Sequence, residues 1–334
     1  MLVSFRNANF DVLTGLWNEC YPEKFRIDAE MLRQNTVESP LFDWGASCIH
    51  LDDDAKPVAF TAVKRSANPQ LFSGPDRDQG HIAAHVCAIP KVGVDLIAHV
   101  KRVLRDRGSY KLAFGADSRH FFPGCPSDCK PLRDFLIIEG FEEGGEAVDV
   151  EADLANWTPR EGVPLLLPSS APAGNYRVRP INQSETAALK TFLNREFPGR
   201  WSHDVMDKVA TEGRPDFVYG LFERDEIVGF ALTQDSGHRL PIAGAVFHLG
   251  LGEKWGSLGP IGLAKSVRGK GLGDALLAST LSDLKNRGIR QCVIDWTGLI
   301  DWYAKHGFTI RNRYTAFSLR LDNPGPAQRF RENS

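Results

Sequence analysis

The two halves of this 334-residue chain carry the same landmarks in the same order. DDDAKPVAFTAV in the first half and FVYGLFERDEIVGFAL in the second each predict a strand, a tight turn and a strand. HVKRVLRDRG and LSDLKNRG then each predict a helix that ends at a glycine, Gly108 or Gly288, suited to a left-handed C-cap. Later, FLIIEGF around Gly140 and WYAKHGF around Gly307 each predict a short helix, a glycine and a strand. This repeat predicts two copies of one fold related by duplication.

Each half is predicted to run hairpin, strand, helix, strand, helix and strands, which is an α/β (α+β) fold with a central mixed β-sheet flanked by helices. A chain of 334 residues also exceeds what one hydrophobic core usually organises. Between the halves, ANWTPREGVPLLLPSSAPAGNY contains four prolines, which exclude a continuous helix. We therefore predict an N-terminal domain at 1–155, a proline-rich linker at 156–175 and a C-terminal domain at 176–334.

The segment SLGPIGLAKSVRGKGLGDALLASTLSDLKNRG combines an apolar strand, a glycine-rich bend and a leucine-rich helix. Gly271 and Gly273 allow close backbone approach, so the amides of the loop and of the helix N-terminus can converge on an anion. Arg268 adds a cation suited to two phosphate oxygens. This strand, loop and helix unit predicts a site for a pyrophosphate.

Charge and composition argue against nucleic-acid, membrane, secreted and metal-binding functions. Forty Lys and Arg against 42 Asp and Glu give a net charge of −2, which offers no global attraction to nucleic acid or to an anionic membrane. The sequence shows neither a bilayer-spanning apolar stretch nor a secretion signal, so we expect a cytoplasmic protein. Six cysteines without paired spacing are typical of reduced thiols, and we expect no metal because Cys125 and Cys129 have the wrong spacing for a zinc half-site.

Two motifs carry a family resemblance. RGKGLG at 268–273 and YAKHGF at 303–308, in this order after a strand, resemble the acetyl-CoA loop and the later Tyr-containing helix of the GCN5-related N-acetyltransferase (GNAT) superfamily. The resemblance implies two tandem GNAT-like domains, acetyl-CoA as the co-substrate and a small-molecule or peptide amine as the acceptor. The arrangement is similar to bacterial two-domain members, including mycothiol synthase-like proteins. A monomer and a homodimer both remain open.

The N-terminal half matches the family only in outline. Its segment aligned with the loop is AIPKVGVD, which lacks the Arg and the first glycine, and about Leu136 stands where the second half has Tyr303. We therefore predict that the first domain is degenerate and that the second binds acetyl-CoA.

The resemblance also assigns roles within the C-terminal domain. The strand at 261–263 is expected to pair with the pantetheine arm as an added strand would. Tyr303 is expected to protonate the departing CoA sulfur, since a phenol stays protonated at neutral pH. The residues expected to bind acetyl-CoA are Ile261, Gly262, Leu263, Arg268, Gly269, Lys270, Gly271, Leu272 and Gly273.

The general base and the acceptor site are less defined. His248 and Glu253 are the candidate bases in the segment that precedes the loop, with a surface or core role as the alternative for each. Arg200 and Trp201 lie where the resemblance places the acceptor side, although a helix cap with a packed Trp is the preferred explanation for them. Asp295 and Trp296, at the end of the following strand, are similarly ambiguous.

Three other functions share features with this sequence: a phosphate-loop NTPase, a dinucleotide oxidoreductase and a non-catalytic acyl-CoA-binding module. GLAKS at 262–266 lacks the glycine that a phosphate-binding loop of NTPases needs, and the loop lacks the third glycine of a dinucleotide-binding motif. A non-catalytic acyl-CoA-binding sensor or interaction module remains open, because such a module binds the ligand with no need for Tyr303.

Overall fold

The computed structural model describes residues 1–65, 79–168 and 175–321. The contacts of the described residues divide the chain into two compact units: unit 1 is residues 1–147 together with 314–321, and unit 2 is residues 148–313. The boundaries predicted from the sequence, at 155 and 176, rest on composition and stay predictions. Residues 169–174 of the predicted linker lie outside the described residues.

Unit 1 is an antiparallel meander followed by a parallel strand pair. Its helices are α1 (Phe10–Cys20), α2 (Ala29–Gln34), α3 (Pro90–Asp106) and α4 (Lys130–Ile138). Its strands are β1 (Leu2–Val3), β2 (Cys48–Leu51), β3 (Pro57–Arg65), β4 (Gln79–Cys87), β5 (Lys111–Phe114), β6 (Cys125–Pro126) and the first part of β7 (Glu142–Asp153). Strands β1 to β4 pair antiparallel in sequence order, and β4 pairs parallel with β5.

Unit 2 repeats this arrangement. Its helices are α5 (Thr186–Glu196), α6 (Arg200–Glu212), α7 (Leu272–Asn286) and α8 (Ile300–Ala304). Its strands, besides the end of β7, are β8 (Tyr176–Pro180), β9 (Val218–Glu223), β10 (Glu226–Asp235), β11 (Trp255–Leu263), β12 (Gln291–Thr297) and the start of β13 (Thr309–Arg320). The order β8-β9-β10-β11-β12-β7 is antiparallel except for the parallel pair β11 and β12.

The predicted α/β class and the internal repeat are confirmed. Hairpin β9-β10 lies where its strand-turn-strand pattern predicts it. In the first half the turn and β3 match the pattern, whereas β2 ends at Leu51, just before the predicted segment begins. Each parallel pair is joined by a helix, α3 or α7. Gly108 and Gly288, just beyond these two helices, have φ of 78° and 90°, the left-handed conformation that glycine adopts without strain. The last described strand departs from the predicted division into two halves. Residues Phe317 to Arg320 of β13 pair with β5, so this part of the C-terminal half belongs to unit 1.

Helix α7 is the central packing element of unit 2. Its leucines divide between two apolar clusters: Leu276 packs with strands β8 to β10 and helices α5 and α6, whereas Leu277, Leu281 and Leu284 pack with β12, β7 and α8. Because apolar side chains of α7 are buried on two of its faces, the helix is held in place, with its start next to the end of β11. None of the helices in the described residues combines the length and apolar character needed to cross a bilayer.

Candidate active site

The predicted glycine-rich loop connects β11 to α7. After β11 ends at Leu263, the chain makes a short 3-10 turn at Lys265–Val267 and enters α7 at Leu272. Gly269 and Gly271 have φ of 78° and 75°, and a Cβ at either would meet no atom within 4 Å. The backbone conformation, not lack of space, is therefore what requires glycine at these positions.

The loop presents a row of unpaired amides. Among the described residues, the N–H groups of residues 269–274 donate no hydrogen bond, and the first amide of the helix with a partner is that of Ala275, which donates to the Gly271 carbonyl at 3.2 Å. Free amides at a helix N-terminus carry partial positive charge and bind phosphate oxygens. The loop is thus built to hold an anion.

Two hydrogen bonds fix this loop to its surroundings. The Arg268 Nε donates to the Leu263 carbonyl oxygen at 3.0 Å, and the Lys265 N–H donates to Glu196 Oε2 at 3.2 Å. The second bond lowers the pKa of Glu196, because it stabilises the charged carboxylate. Arg268 and Lys270 are exposed, so both cations can meet a phosphate.

Strands β11 and β12 diverge next to the loop. Their parallel pairing covers Trp255 to Ser257 on β11 and ends at the pair Ser257 and Val293. Beyond it, β11 continues with β10 as far as Leu263, while β12 continues with β7 as far as Thr297. A wedge-shaped gap therefore opens between the carboxyl ends of the two strands, and the anion loop lies at the end of its β11 side.

One edge of this gap carries unpaired backbone groups. The Ala264 N–H donates to the Val228 carbonyl on β10 at 2.8 Å. Because hydrogen bonds alternate along an antiparallel pair, the N–H groups of Ile261 and Leu263 point away from β10, into the gap. The Gly262 N–H points to β10 instead, and a Cβ at Gly262 would lie 2.5 Å from the Phe197 ring. Gly262 therefore permits close packing, while Ile261 and Leu263 supply the free edge.

Tyr303 lies in α8 beside the gap. Its side chain is 3% exposed and packs with Leu258 of β11 and Leu277 of α7. Its hydroxyl has no hydrogen-bond partner among the described residues. Burial, and then the charge of Asp295, raise the pKa of Tyr303 above its ordinary value, so the phenol stays protonated at neutral pH.

Asp274 connects the loop helix to α8. Its Oδ1 accepts hydrogen bonds from Trp302 Nε1 at 2.7 Å and from His306 Nε2 at 2.9 Å. Asp274 is in the first turn of α7, and the other two side chains flank Tyr303 in sequence. This contact holds Tyr303 in a fixed position relative to the anion loop.

Arg200 and Trp201, predicted on the acceptor side, are at the start of α6. The Arg200 guanidinium lies 4.0 Å from the centre of the Trp296 ring, a close cation–π contact. Trp201 packs against Phe197, with ring centres 5.4 Å apart. The first residue thus contacts the end of β12, while the second belongs to an aromatic cluster over β10.

The end of β12 holds a bulge that the sequence did not reveal. The β12 to β7 register shifts between Ile294 and Thr297, which leaves Asp295 and Trp296 outside the regular ladder. Trp296 has a φ of 46°, a strained value for a non-glycine residue, and its N–H donates to Asp149 Oδ1 at 3.1 Å. Asp295 Oδ1 is 3.9 Å from where a Cβ on Gly259 would lie, so this carboxylate borders the gap.

The two candidate bases lie at the other end of β11. Glu253 is exposed two residues before the strand begins, and eight residues of extended chain, roughly 26 Å, separate it from Ile261. His248 packs against Trp255, the first residue of the strand, with ring centres 5.4 Å apart. Glu253 also lines a cavity of about 930 Å³ at that end. The structure therefore does not bring either residue to the gap, and that cavity is separate from the anion loop.

Residues 186–308 match the model of the Acetyltransferase (GNAT) family, and the matched segment contains the loop, the free strand edge and Tyr303. The chain carries a GNAT domain. A mycothiol acetyltransferase from Corynebacterium efficiens is 28% identical over 125 residues, which are 36% of this chain and 37% of that protein. The match therefore spans little more than a third of either protein.

Two solved structures extend the likeness to the whole fold. The glucosamine N-acetyltransferase region of a fungal multi-domain beta-N-acetylglucosaminidase has a TM-score of 0.80 at 18% identity, over 96% of this chain and 38% of that chain. A tandem GNAT protein from the clavulanic acid biosynthesis pathway has a TM-score of 0.64 at 15% identity, over 96% of this chain and 98% of that chain. The fold of the chain is thus that of a tandem GNAT protein.

GNAT proteins use acetyl-CoA, and the GNAT domain fits it. The loop offers six unpaired amides and two exposed cations, and the free edge of β11 offers main-chain donors. Within the described part of the chain, no group of three or more His, Cys, Asp or Glu side chains is arranged to hold a metal ion.

Proposed function

We propose that the GNAT domain transfers an acetyl group from acetyl-CoA to the nitrogen of an amine. The observation that carries this proposal is the position of the anion loop at the end of a free strand edge, where β11 and β12 diverge. A diphosphate and a polar chain linked to it can then be held by adjoining main-chain donors.

The loop and strand edge would hold the co-substrate. The amides of residues 269–274 and the Arg268 guanidinium suit the diphosphate, since charge-assisted hydrogen bonds to phosphate are strong. The N–H groups of Ile261 and Leu263 suit the amides of the pantetheine arm, as in strand addition. Acetyl-CoA supplies the acetyl group as a thioester.

Transfer forms a C–N bond and breaks a C–S bond, so one proton leaves the amine and one reaches the sulfur. Tyr303 is the proposed proton donor to the sulfur, because it is protonated, lies beside the gap and is held by the contact of α8 with Asp274. Asp295 is the proposed acceptor of the amine proton, because its carboxylate borders the same gap. This assignment replaces His248 and Glu253, which lie at the far end of β11.

The acceptor is proposed to enter next to Trp296. Arg200 covers the Trp296 ring and the Asp295 carboxylate borders the gap, so charges of both signs lie beside it. Such surroundings suit a polar amine. Amino sugars, small-molecule amines and peptide amines are the classes to test, the first because one structure of the same fold is named as a glucosamine N-acetyltransferase region.

A non-catalytic acyl-CoA-binding module is the second candidate. One observation favours it: Tyr303 packs within an apolar cluster, as a purely structural tyrosine would. In such a module the loop and strand edge bind the ligand, and no bond is exchanged.

An acetylation assay separates the two functions. The protein is incubated with acetyl-CoA and a pool containing glucosamine, polyamines, amino-acid amides and short peptides, and products are detected by mass spectrometry. We expect a mass increase of one acetyl group on one acceptor class, with release of an equal amount of CoA thiol. Tight acetyl-CoA binding without any acetylated product would instead favour the binding module.

A further inference from the structure

Unit 1 contains a cavity of about 380 Å³ at the carboxyl end of β4. This volume falls within the range of small-molecule sites. The cavity is bounded by the end of α1, the end of β4 and the start of α4. Its lining residues include Cys20, Tyr21, His85, Cys87, Cys129 and Phe135.

The cavity occupies the position in unit 1 where unit 2 has its gap. Pairing of β4 with β5 ends at Ile82 and Phe114, and β4 continues alone with β3 to Cys87. Helix α3 begins only three residues later at Pro90, and the N–H groups of Val92 and Gly93 both donate to the Ile89 carbonyl. No glycine-rich loop separates β4 from α3, so this connection lacks the row of free amides that would hold a phosphate.

Close helix packing narrows this gap into a cavity. A Cβ at Gly93 of α3 would lie 2.9 Å from the Phe135 ring of α4, so the two helices approach closely there. The Phe135 ring in turn stacks on His85, with ring centres 4.9 Å apart and planes 8° apart. Flat aromatic surfaces therefore form one wall.

His85 supplies a polar atom without a partner. The residue is 5% exposed, its Nδ1 lies 2.8 Å from Thr61 Oγ1, and its carbonyl oxygen accepts from the Tyr21 hydroxyl at 2.8 Å. The second ring nitrogen, Nε2, has no hydrogen-bond partner in the described part of the chain. Nε2 is not one of the fully enclosed unpaired atoms, and His85 lines the cavity, so a hydrogen-bonding group inside the cavity can reach this nitrogen.

The interior of the cavity is uncharged. Burial lowers the pKa of His85 to about 4, so its imidazole is neutral at pH 7. Burial also raises the pKa of Cys20 and of Cys87, and raises that of Cys129 to about 11, so the three thiols stay protonated. The exposed acids Glu19 and Asp128 lie at the rim, and Asp128 pairs with Lys24. Such a site disfavours anions.

We propose that this cavity binds a small uncharged molecule, flat and mostly apolar, with one hydrogen-bonding group for His85 Nε2 and no phosphate. Unit 1 would then be a ligand-binding unit rather than a second acetyl-CoA site. The proposal is independent of acetyl transfer by unit 2.

The test uses 4-ethylphenol as the probe, because its hydroxyl both donates and accepts and so suits either tautomer of His85. Calorimetric titration of the full chain should show one site, and 4-ethylbenzoate, which has the same shape with a negative charge, should bind at least ~10-fold more weakly. Equal binding of the two compounds, or no binding of 4-ethylphenol, would overturn the proposal.

Variants of Cys20 test whether 4-ethylphenol binds in this cavity. Cys20 is exposed and lines the cavity, so Cys20→Trp should block it and weaken 4-ethylphenol at least ~10-fold, whereas Cys20→Ser should leave affinity unchanged. The urea midpoint of unfolding, measured on the same samples, should be equal in Cys20→Ser and wild type and nearly so in Cys20→Trp, which shows that unit 1 of both variants is folded. Binding of 4-ethylphenol unaffected by Cys20→Trp, or lost on addition of acetyl-CoA, would contradict this site.

Alkylation gives a second readout that needs no variant. Iodoacetamide should modify Cys87 at least ~5-fold more slowly in the presence of saturating 4-ethylphenol, as resolved by peptide mass spectrometry. An unchanged rate at Cys87 under conditions where calorimetry shows binding would place the ligand elsewhere.

Discussion

Arg268 donates from its Nε to the carbonyl oxygen of Leu263, the last residue of β11, at 3.0 Å. The bond uses one guanidinium nitrogen and leaves the two terminal ones exposed. It also directs the side chain along the edge on which the Ile261 and Leu263 amides are free. Arg268 therefore joins the anion loop to the strand edge, and the two parts of the proposed acetyl-CoA site act together.

Gly271→Ala should weaken acetyl-CoA binding about 10-fold, because a left-handed conformation costs an alanine roughly 1–2 kcal/mol and the added methyl group meets no atom. Calorimetric titration measures the change. Gly298→Ala is the matched control, since Gly298 also lies in open space but without a positive φ. Equal affinities of the two variants would show that the loop conformation does not matter for binding.

Tyr303→Phe should leave acetyl-CoA affinity nearly unchanged and lower kcat by about 10-fold to 1,000-fold, because it removes the proton donor and keeps the packing. Steady-state release of CoA thiol measures the effect. Tyr219→Phe is the control: Tyr219 is also buried and bonds to Asp283 at the other end of α7. An unchanged kcat in Tyr303→Phe would remove this residue from the mechanism.

Asp295→Asn should lower kcat by about 10² to 10⁴-fold near pH 7 with little effect on acetyl-CoA affinity. The deficit should shrink as the pH approaches the pKa of the acceptor amine, since an already deprotonated amine needs no base. Asp301→Asn, an exposed carboxylate at the start of α8, serves as the control. A deficit that stays constant with pH would mean that Asp295 acts on structure rather than on the proton.

Unit 1 should lose stability on acidification through His85. Its folded pKa is lowered by burial from 6.5 to about 4, so the unfolded chain binds the proton first. The free energy of unfolding should therefore fall between pH 6.5 and pH 4, by at most about 3 kcal/mol from this group. Urea denaturation gives the free energy of unfolding of wild type and of His85→Gln at each pH. The difference between these two free energies should change between pH 6.5 and pH 4. A difference in unfolding free energy that stays constant with pH would refute the lowered pKa of His85.

The sequence alone predicts the elements whose conformation depends on neighbouring residues in the chain. Apolar strands, helix-ending glycines such as Gly108 and Gly288, and the loop around Gly271 depend on local conformation, and all lie where predicted. The aligned segment AIPKVGVD predicts no anion loop between β4 and α3, and the described connection is short, with α3 beginning at Pro90. That the first domain is degenerate stays a prediction.

Features that depend on strand pairing were not visible in the sequence. The bulge that places Asp295 at the gap arises from the register between β12 and β7, and residues about 150 positions apart have no pattern that reveals it. The pairing of β13 with β5 was missed for the same reason, since it joins Phe317 to Phe114 across the chain. The distance of Glu253 from Ile261, in contrast, follows from the sequence, because an extended strand rises about 3.3 Å per residue.

Calorimetric titration with acetyl-CoA, beside desulfo-CoA, ATP and NAD, tests the central claim most directly. We expect one acetyl-CoA per chain, weakened about 10-fold to 100-fold in Arg268→Ala, since one charge-assisted contact contributes about 1.5–3 kcal/mol. Lys91→Ala, at the start of α3 in unit 1, should bind like wild type. No acetyl-CoA binding, or two equivalent sites with one lost in Lys91→Ala, would contradict the account.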